Sequence, residues 1–157
     1  MKASALSEIK TELKILSAPQ LTELCLRLAR FKKENKELLA YLLFEADNTE
    51  QYVNRVKEEM DESLAAVNTG NAYFAKKSLR KILRVVNKHV KYIANKEAEV
   101  SLLLHFCAGI SGLKLYPHKN TALSNVYKSQ VKKIEAAIGD LHEDLQHDFL
   151  AQMERLS

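Results

Sequence analysis

The chain has 157 residues, of which 46% are apolar and 28% charged, a balance typical of one globular domain with a buried core. It contains four Gly, two Pro and no Trp, and this scarcity of turn residues argues against sandwiches and barrels of many short strands. Lys and Arg number 24 against 20 Asp and Glu, so the net charge of +4 is mildly basic and excludes a histone-like chain.

The N-terminal quarter of the chain predicts two amphipathic helices. The first covers about residues 4–16, where apolar residues recur at helical spacing. Ser17 then predicts an N-cap, with Gln20 three residues later as in a capping box and Pro19 in the first turn. The second helix follows and ends near residue 32. Its apolar face consists of Leu21, Leu24, Cys25, Leu28 and Phe31.

Two further helices are predicted before residue 70. Asn35 predicts the N-cap of the third, whose run LLAYLLF is apolar over much of its circumference, so we expect it to be the most buried helix. The segment Asp47-Asn48-Thr49 ends it, and a fourth helix continues to Val67. The clearest stop signal comes next, with Gly70 suited to a left-handed C-cap and Asn71 to a new N-cap.

A fifth helix is predicted over about residues 72–93, and Asn95 predicts the cap of a sixth that continues to Ile110. The main loop is expected at Gly109, Gly112 and residues 116–120.

The remaining chain predicts one long seventh helix, capped by Thr121 and reaching Leu156. Its apolar residues recur every 3.67 residues on average. This period fits a straight helix rather than a coiled coil, which repeats every 3.5 residues. We therefore expect a long helix laid across a globular core and bent near Gly139.

Together these elements predict a single all-α domain over residues 1–157, with six or seven helices. Stacked antiparallel αα-hairpins forming a short helical-repeat-like superhelix are the first expectation, and a closed helical bundle is the alternative. The tripeptide Asn-Lys-Glu occurs at both 35–37 and 95–97. Either helix starts converge on the same residues, or the chain is an internal duplication of about 17–68 and 71–157.

The predicted fifth helix carries all of the net positive charge. Between residues 72 and 96 there are eight Lys or Arg and no Asp or Glu, whereas the rest of the chain has 16 basic and 20 acidic residues. At 100° per residue, seven of these cations fall within an arc of about 140°, and apolar residues occupy the opposite arc. We call these seven the basic face: Lys76, Lys77, Arg80, Lys81, Arg84, Lys88 and Lys91.

Several roles fit the basic face, which is about 22 Å long. Nucleic-acid phosphates would pair with its cations and release counterions, and the flanking Phe74 and Tyr92 would stack on bases. Alternatively, the face is solvated, meets an acidic protein, or packs against the acidic segments 45–62 and 135–154. A membrane surface is disfavoured because the apolar side of the helix is expected to pack on the core.

No pattern in the sequence predicts catalysis. One cluster near the end of the chain contains His142, Glu143, Asp144, His147 and Asp148. The five-residue spacing of its two histidines would turn their imidazoles about 140° apart on a helix, which does not suit one metal ion. His105 and Cys107 point in nearly opposite directions, and His89 and His105 are expected to be hydrogen-bonded boundary residues. We therefore expect no catalytic residue, no metal ligand and no cofactor, and a chain that is not an enzyme.

The two cysteines, Cys25 and Cys107, are too few for a disulfide framework and are expected to be buried thiols. The N-terminal sequence MKASALSEIK lacks the apolar core of a secretory signal, and no apolar run approaches the ~20 residues that cross a bilayer. These observations predict a cytoplasmic protein.

The sequence thus predicts a non-catalytic helical binding or scaffold module with a protein partner and no membrane association. The alternative is nucleic-acid binding, with phosphate contacts from Lys77, Lys81, Arg84, Lys88 and Lys91. A homodimer is a further expectation if the last helix exposes apolar residues. No motif indicates a particular family.

Overall fold

The computed structural model describes residues 3–113 and 121–156. All regular structure within these residues is helical, as the sequence predicts, and none of these helices combines the length and apolar character needed to cross a membrane. The helices are α1 (Leu6–Ile15), α2 (Ala18–Phe31), α3 (Lys33–Phe44), α4 (Thr49–Ala65), α5 (Ala72–Ile93), α6 (Lys96–Gly112), α7 (Thr121–Gly139) and α8 (Glu143–Glu154), with a 3₁₀ turn at Ala46–Asn48. The chain forms two compact units, Met1–Glu45 and Ala46–Ser157.

In the first unit, α2 and α3 pack as a helical hairpin. The predicted capping box is confirmed: Ser17 N–H donates to Gln20 Oε1 at 2.9 Å, and Gln20 N–H donates to Ser17 Oγ at 3.4 Å. The prediction of Asn35 as an N-cap is wrong, because α3 begins at Lys33 and Asn35 lies inside it. Asn35 Nδ2 instead donates to the Leu28 carbonyl oxygen at 2.8 Å and so serves the end of α2.

The first unit buries very little apolar surface. Among residues 3–45, Tyr41 alone is buried. The expectation that α3 is the most buried helix is wrong, since Leu42, Leu43 and Phe44 are 56–80% exposed. The apolar run predicted a helix that needs to be covered, and within the chain most of that surface stays open.

The core of the second unit is built around α6. This helix contacts α4, α5, α7 and α8, and eight of its residues are buried, with Phe106 fully so. Its N-cap is Asn95, as predicted, because Asn95 Oδ1 accepts a hydrogen bond from Ala98 N–H at 3.0 Å. Gly109 lies within α6 rather than in the predicted loop, and a Cβ there would overlap the Leu64 side chain of α4. Residues 116–120 of that loop lie outside the described residues.

The predicted seventh helix is two helices, so the described chain has eight rather than six or seven. α7 ends at Gly139 and α8 begins at Glu143, with His142 as its N-cap. Gln146 Nε2 donates to the Leu141 carbonyl oxygen at 2.7 Å and stabilises the turn. The three-residue break has nearly the length of one helical turn, so the apolar residues stay in phase across it and the periodicity does not reveal it.

The two Asn-Lys-Glu tripeptides are not structurally equivalent. Asn35 is the third residue of α3, whereas Asn95 is the N-cap of α6. The two tripeptides therefore do not support an internal duplication of 17–68 and 71–157, which stays a prediction. The single domain over residues 1–157 also stays a prediction.

Candidate nucleic-acid interface

α5 carries the basic face, and both of its ends are closed by defined caps. Asn71 is the predicted N-cap, and its Oδ1 accepts hydrogen bonds from the N–H groups of Tyr73 at 2.9 Å and Phe74 at 3.2 Å. The C-terminus closes at Ala94, which has the left-handed φ of 51°. Gly70 does not adopt the left-handed conformation predicted for it at the end of α4. The result is a regular helix of 22 residues.

One side of α5 packs on α4, α6 and α7, and the opposite side carries the cations. The buried side chains are Ala75, Leu79, Ile82, Val86, Tyr92 and Ile93. Of the seven residues of the basic face, Lys76 and Lys88 are half-buried. The exposed ones are Lys77, Arg80, Lys81, Arg84 and Lys91. The structure thus leaves five cations accessible along about 21 Å of helix.

The exposed cations are not used in ion pairs within the described chain. Across residues 3–113 and 121–156, none of the five has an acidic side-chain oxygen within 4 Å. Acidic residues of the two neighbouring acidic segments pair elsewhere: Asp61 Oδ1 lies 2.7 Å from His105 Nε2, and Asp140 Oδ2 lies 4.0 Å from Lys96 Nζ. Direct ion pairing with those segments therefore does not explain why the five cations are there.

Two aromatic side chains stand at the N-terminal end of the basic face. Tyr73 is 70% exposed and Phe74 is 51% exposed, and their rings meet edge to face with centroids 5.5 Å apart. The prediction that Tyr92 flanks the basic face and stacks on bases is wrong. Tyr92 is buried against His89, with the ring centroids 5.9 Å apart. The sequence interpretation missed Tyr73, although it precedes Lys76 and Lys77 by three and four residues and therefore shares their face.

Two grooves run beside the basic face, one on each side of α5. The groove between α4 and α5 has a volume of about 300 Å³, an apolar floor that includes Met60 and Val86, and Lys81 at its rim. The groove between α5 and α7 has a volume of about 360 Å³ and contains Lys76 and Arg80. Both grooves place apolar surface beside cations, and the groove between α4 and α5 also contains the acidic Glu59.

The cluster of histidines and acids in and before α8 does not converge on a common point. His142 Nδ1 lies 3.6 Å from Asp144 Oδ2, and His147 Nδ1 lies 3.9 Å from Asp148 Oδ1, so each histidine meets a near neighbour in sequence on an exposed surface. Throughout the described ranges, no three His, Cys, Asp or Glu side chains are grouped so that they could hold a metal ion.

The remaining candidates for chemistry are held in structural contacts. Tyr52 Oη and His89 Nδ1 lie 2.7 Å apart, and His105 bonds to Asp61, so both histidines are hydrogen-bonded boundary residues as predicted. Burial raises the pKa of the Cys107 thiol to about 12, which keeps it protonated and unreactive at neutral pH. Cys25 is exposed, so the prediction that both thiols are buried is wrong for Cys25.

Lys57 of α4 is held in an environment that disfavours its charge. Burial lowers the pKa of its ammonium group from the ordinary 10.5, and the Asp61 carboxylate partly offsets this by raising the pKa. The charged form is therefore less stable in the folded than in the unfolded chain. This penalty on folding is fully present below the lowered pKa and disappears above pH 10.5.

We expect Lys57→Met to raise the thermal unfolding temperature at pH 7 slightly, because Met keeps the apolar stem and removes a half-buried charge. The gain should shrink as the pH approaches 10.5. Thermal melts of both proteins at pH 7 and pH 10.5, followed by circular dichroism, measure it. Lys128→Met, at an exposed position of α7, is the control and should show no comparable pH-dependent gain. A lower unfolding temperature for Lys57→Met at pH 7 contradicts the prediction.

Comparison of the chain with protein-family models, with curated proteins and with solved structures finds no match.

Proposed function

We propose that the chain is a non-catalytic binding module whose basic face on α5 holds the phosphate backbone of a nucleic acid. The observation that carries the proposal is the set of five exposed cations on one helix without acidic partners among the described residues. Phosphate binding to such cations is favourable because each contact releases condensed counterions. The exposed Tyr73 and Phe74 at the end of the same helix favour a single strand, whose unpaired bases can stack on aromatic rings.

The proposal predicts how affinity depends on salt. Five phosphate contacts correspond to a slope of log affinity against log salt of about −3.5 for a single strand and about −4.5 for duplex DNA. Fluorescence anisotropy of a labelled oligonucleotide of about 20 nucleotides, titrated between about 50 and 300 mM salt, measures that slope. We expect the single strand to bind more tightly than the duplex.

Reversing two charges of the basic face should remove two of these contacts. On the single-strand slope, each phosphate contact raises the affinity at 50 mM salt about eightfold over its value at 1 M salt. The loss of two contacts in Lys77→Glu with Lys81→Glu should therefore weaken binding at least about 60-fold. The matched control is Lys128→Glu with Lys132→Glu, which makes the same charge change at exposed positions of α7. The control should bind within a few-fold of the wild type.

Three results contradict the proposal: no binding at 50 mM salt, a slope near zero, or equal losses in the two double variants. If oligonucleotides do not bind while polyglutamate does, the basic face is a site for an acidic protein instead.

The role of the aromatic pair is separable from that of the charges. Replacing Tyr73 with alanine should weaken single-strand binding by about 1–3 kcal/mol for a lost stacked base, with no change in the salt slope. Duplex binding should change little. Equal losses for single strand and duplex would mean that Tyr73 does not stack on a base.

The finer architecture and the compartment are proposals as well. In the second unit, the contacts of α6 with four other helices support the closed bundle over the stacked-hairpin superhelix.

The two cysteines are both free thiols, which supports a reducing, cytoplasmic compartment.

A further inference from the structure

The exposed apolar surface of the chain is concentrated in its first unit. Among residues 3–45, eleven large apolar side chains are 38–84% exposed, against four in residues 46–113 and 121–156. In α1 they are Leu6, Ile9, Leu13 and Ile15; in α2 they are Leu24, Leu26, Leu28 and Phe31; in α3 they are Leu42, Leu43 and Phe44. Such a concentration of exposed apolar side chains is typical of interaction sites in soluble proteins.

The first helix of this unit receives little stabilisation from packing within the described chain. α1 has ten residues and none of them is buried, although isolated helices shorter than about 12–15 residues are marginal in water. Its apolar residues at 6, 9 and 13 are spaced three and four apart, and Leu16 at its C-cap continues this spacing. Those of α2 repeat the same spacing at 21, 24, 28 and 31. Apolar residues at this alternating three- and four-residue spacing line one side of a helix, and we call that line the seam. Two helices pack against each other along such seams.

The area is large enough for a stable dimer. Ile15 and Leu26 lie on the sides of α1 and α2 away from this seam, so nine side chains remain. If each of them exposes about half of the roughly 200 Å² that a large apolar side chain can bury, they offer about 900 Å². A standard interface buries about 800 Å² on each partner.

The charges of the unit fit a second copy of the same chain. Residues 3–45 contain seven Lys or Arg and six Asp or Glu, interspersed on all three helices. A two-fold interface brings each patch against itself, so a surface dominated by one sign would repel its copy, whereas this balanced surface does not. The basic face of α5 could not form such a contact.

We infer that the chain forms a two-fold homodimer through the apolar surface of α1–α3, with the α2 helices of the two copies antiparallel. When this pair is centred on Leu26, Leu21 of one copy meets Phe31 of the other, and Leu24 meets Leu28. Glu23 and Arg30, which pair at 3.4 Å within α2, lie on the opposite side of that helix and leave the seam apolar. Cys25 lies one residue from the two-fold axis.

The first test is the mass of the full chain in solution, by light scattering or sedimentation equilibrium up to about 100 µM, where a dimer with a Kd of 1 µM is about 90% formed. We expect twice the mass of one chain. Leu24→Glu with Leu28→Glu should give one chain mass, since it places four carboxylates in the proposed seam. Leu150→Glu, at an exposed apolar position of α8, is the matched control and should remain dimeric.

A second test uses the wild-type thiols and does not depend on the folding of a variant. Mild oxidation should link the two copies through Cys25, because Cys25 is exposed while Cys107 is buried with a raised pKa. Cys25→Ser should abolish the cross-link.

The inference is overturned if the wild type has one chain mass at 100 µM, because the apolar surface is then covered within the same chain or open to another protein. It is also overturned if the Leu24→Glu, Leu28→Glu variant stays dimeric, or if a dimer forms but Cys25 does not cross-link.

Discussion

A Phe106→Ala variant is expected to lose about 3–5 kcal/mol of its free energy of unfolding. Phe106 is fully buried in α6, the helix that contacts α4, α5, α7 and α8. Truncation removes the transfer free energy of the ring and leaves a cavity that four surrounding helices can fill only in part. Because domains of this size have total stabilities of about 5–15 kcal/mol, the loss should shift the urea midpoint strongly with little change in the slope.

Urea unfolding followed by far-ultraviolet circular dichroism measures this effect. Leu150→Ala is the matched control, since Leu150 is a large apolar residue of α8 that is 47% exposed, and its truncation should cost less than about 1 kcal/mol. Equal losses in the two variants would mean that α6 is not the centre of the core.

Local hydrogen bonding explains why much of the helical framework was predictable. Ser17, Asn71 and Asn95 cap helices as predicted, and each bond reaches only two or three residues along the chain. Asn35 is followed by Lys and Glu, just as Asn95 is. Its side-chain amide nevertheless donates to the carbonyl oxygen of Leu28, which lies seven residues earlier in the preceding helix. A sequence pattern that extends over three residues could not predict that choice.

Burial was less predictable than helicity, since periodicity identifies apolar residues but not what covers them. The apolar run of α3 and the less regular apolar pattern of α6 both predict helices that need covering, yet only α6 is enclosed. The candidate interface shows the same limit. The sequence located the basic face and its flanking Phe74, whereas the burial of Tyr92 and the exposure of Tyr73 are visible only in the structure.

The second large effect is expected where Gly109 of α6 lies against Leu64 of α4. Gly109→Val should lower the free energy of unfolding by about 3 kcal/mol, at the upper end of the range for overpacked cores. A Cβ at Gly109 would already overlap Cδ1 of Leu64, which is buried in α4, so the added methyl groups have no space without displacing one helix. Val is a slightly better helix former than Gly, so helix propensity offsets only a few tenths of a kcal/mol of this loss.

Leu64→Ala distinguishes this steric effect from a general intolerance of substitution at Gly109. Alone it should cost about 2–5 kcal/mol, because it creates a cavity. Combined with Gly109→Val it should cost about 2 kcal/mol less than the sum of the two single losses, since Val adds the three carbons that Ala removes at the same contact. The four urea midpoints of this double-mutant cycle give the coupling directly. Strict additivity would mean that α4 and α6 separate when Gly109 is replaced, and that Leu64 does not require glycine at this position.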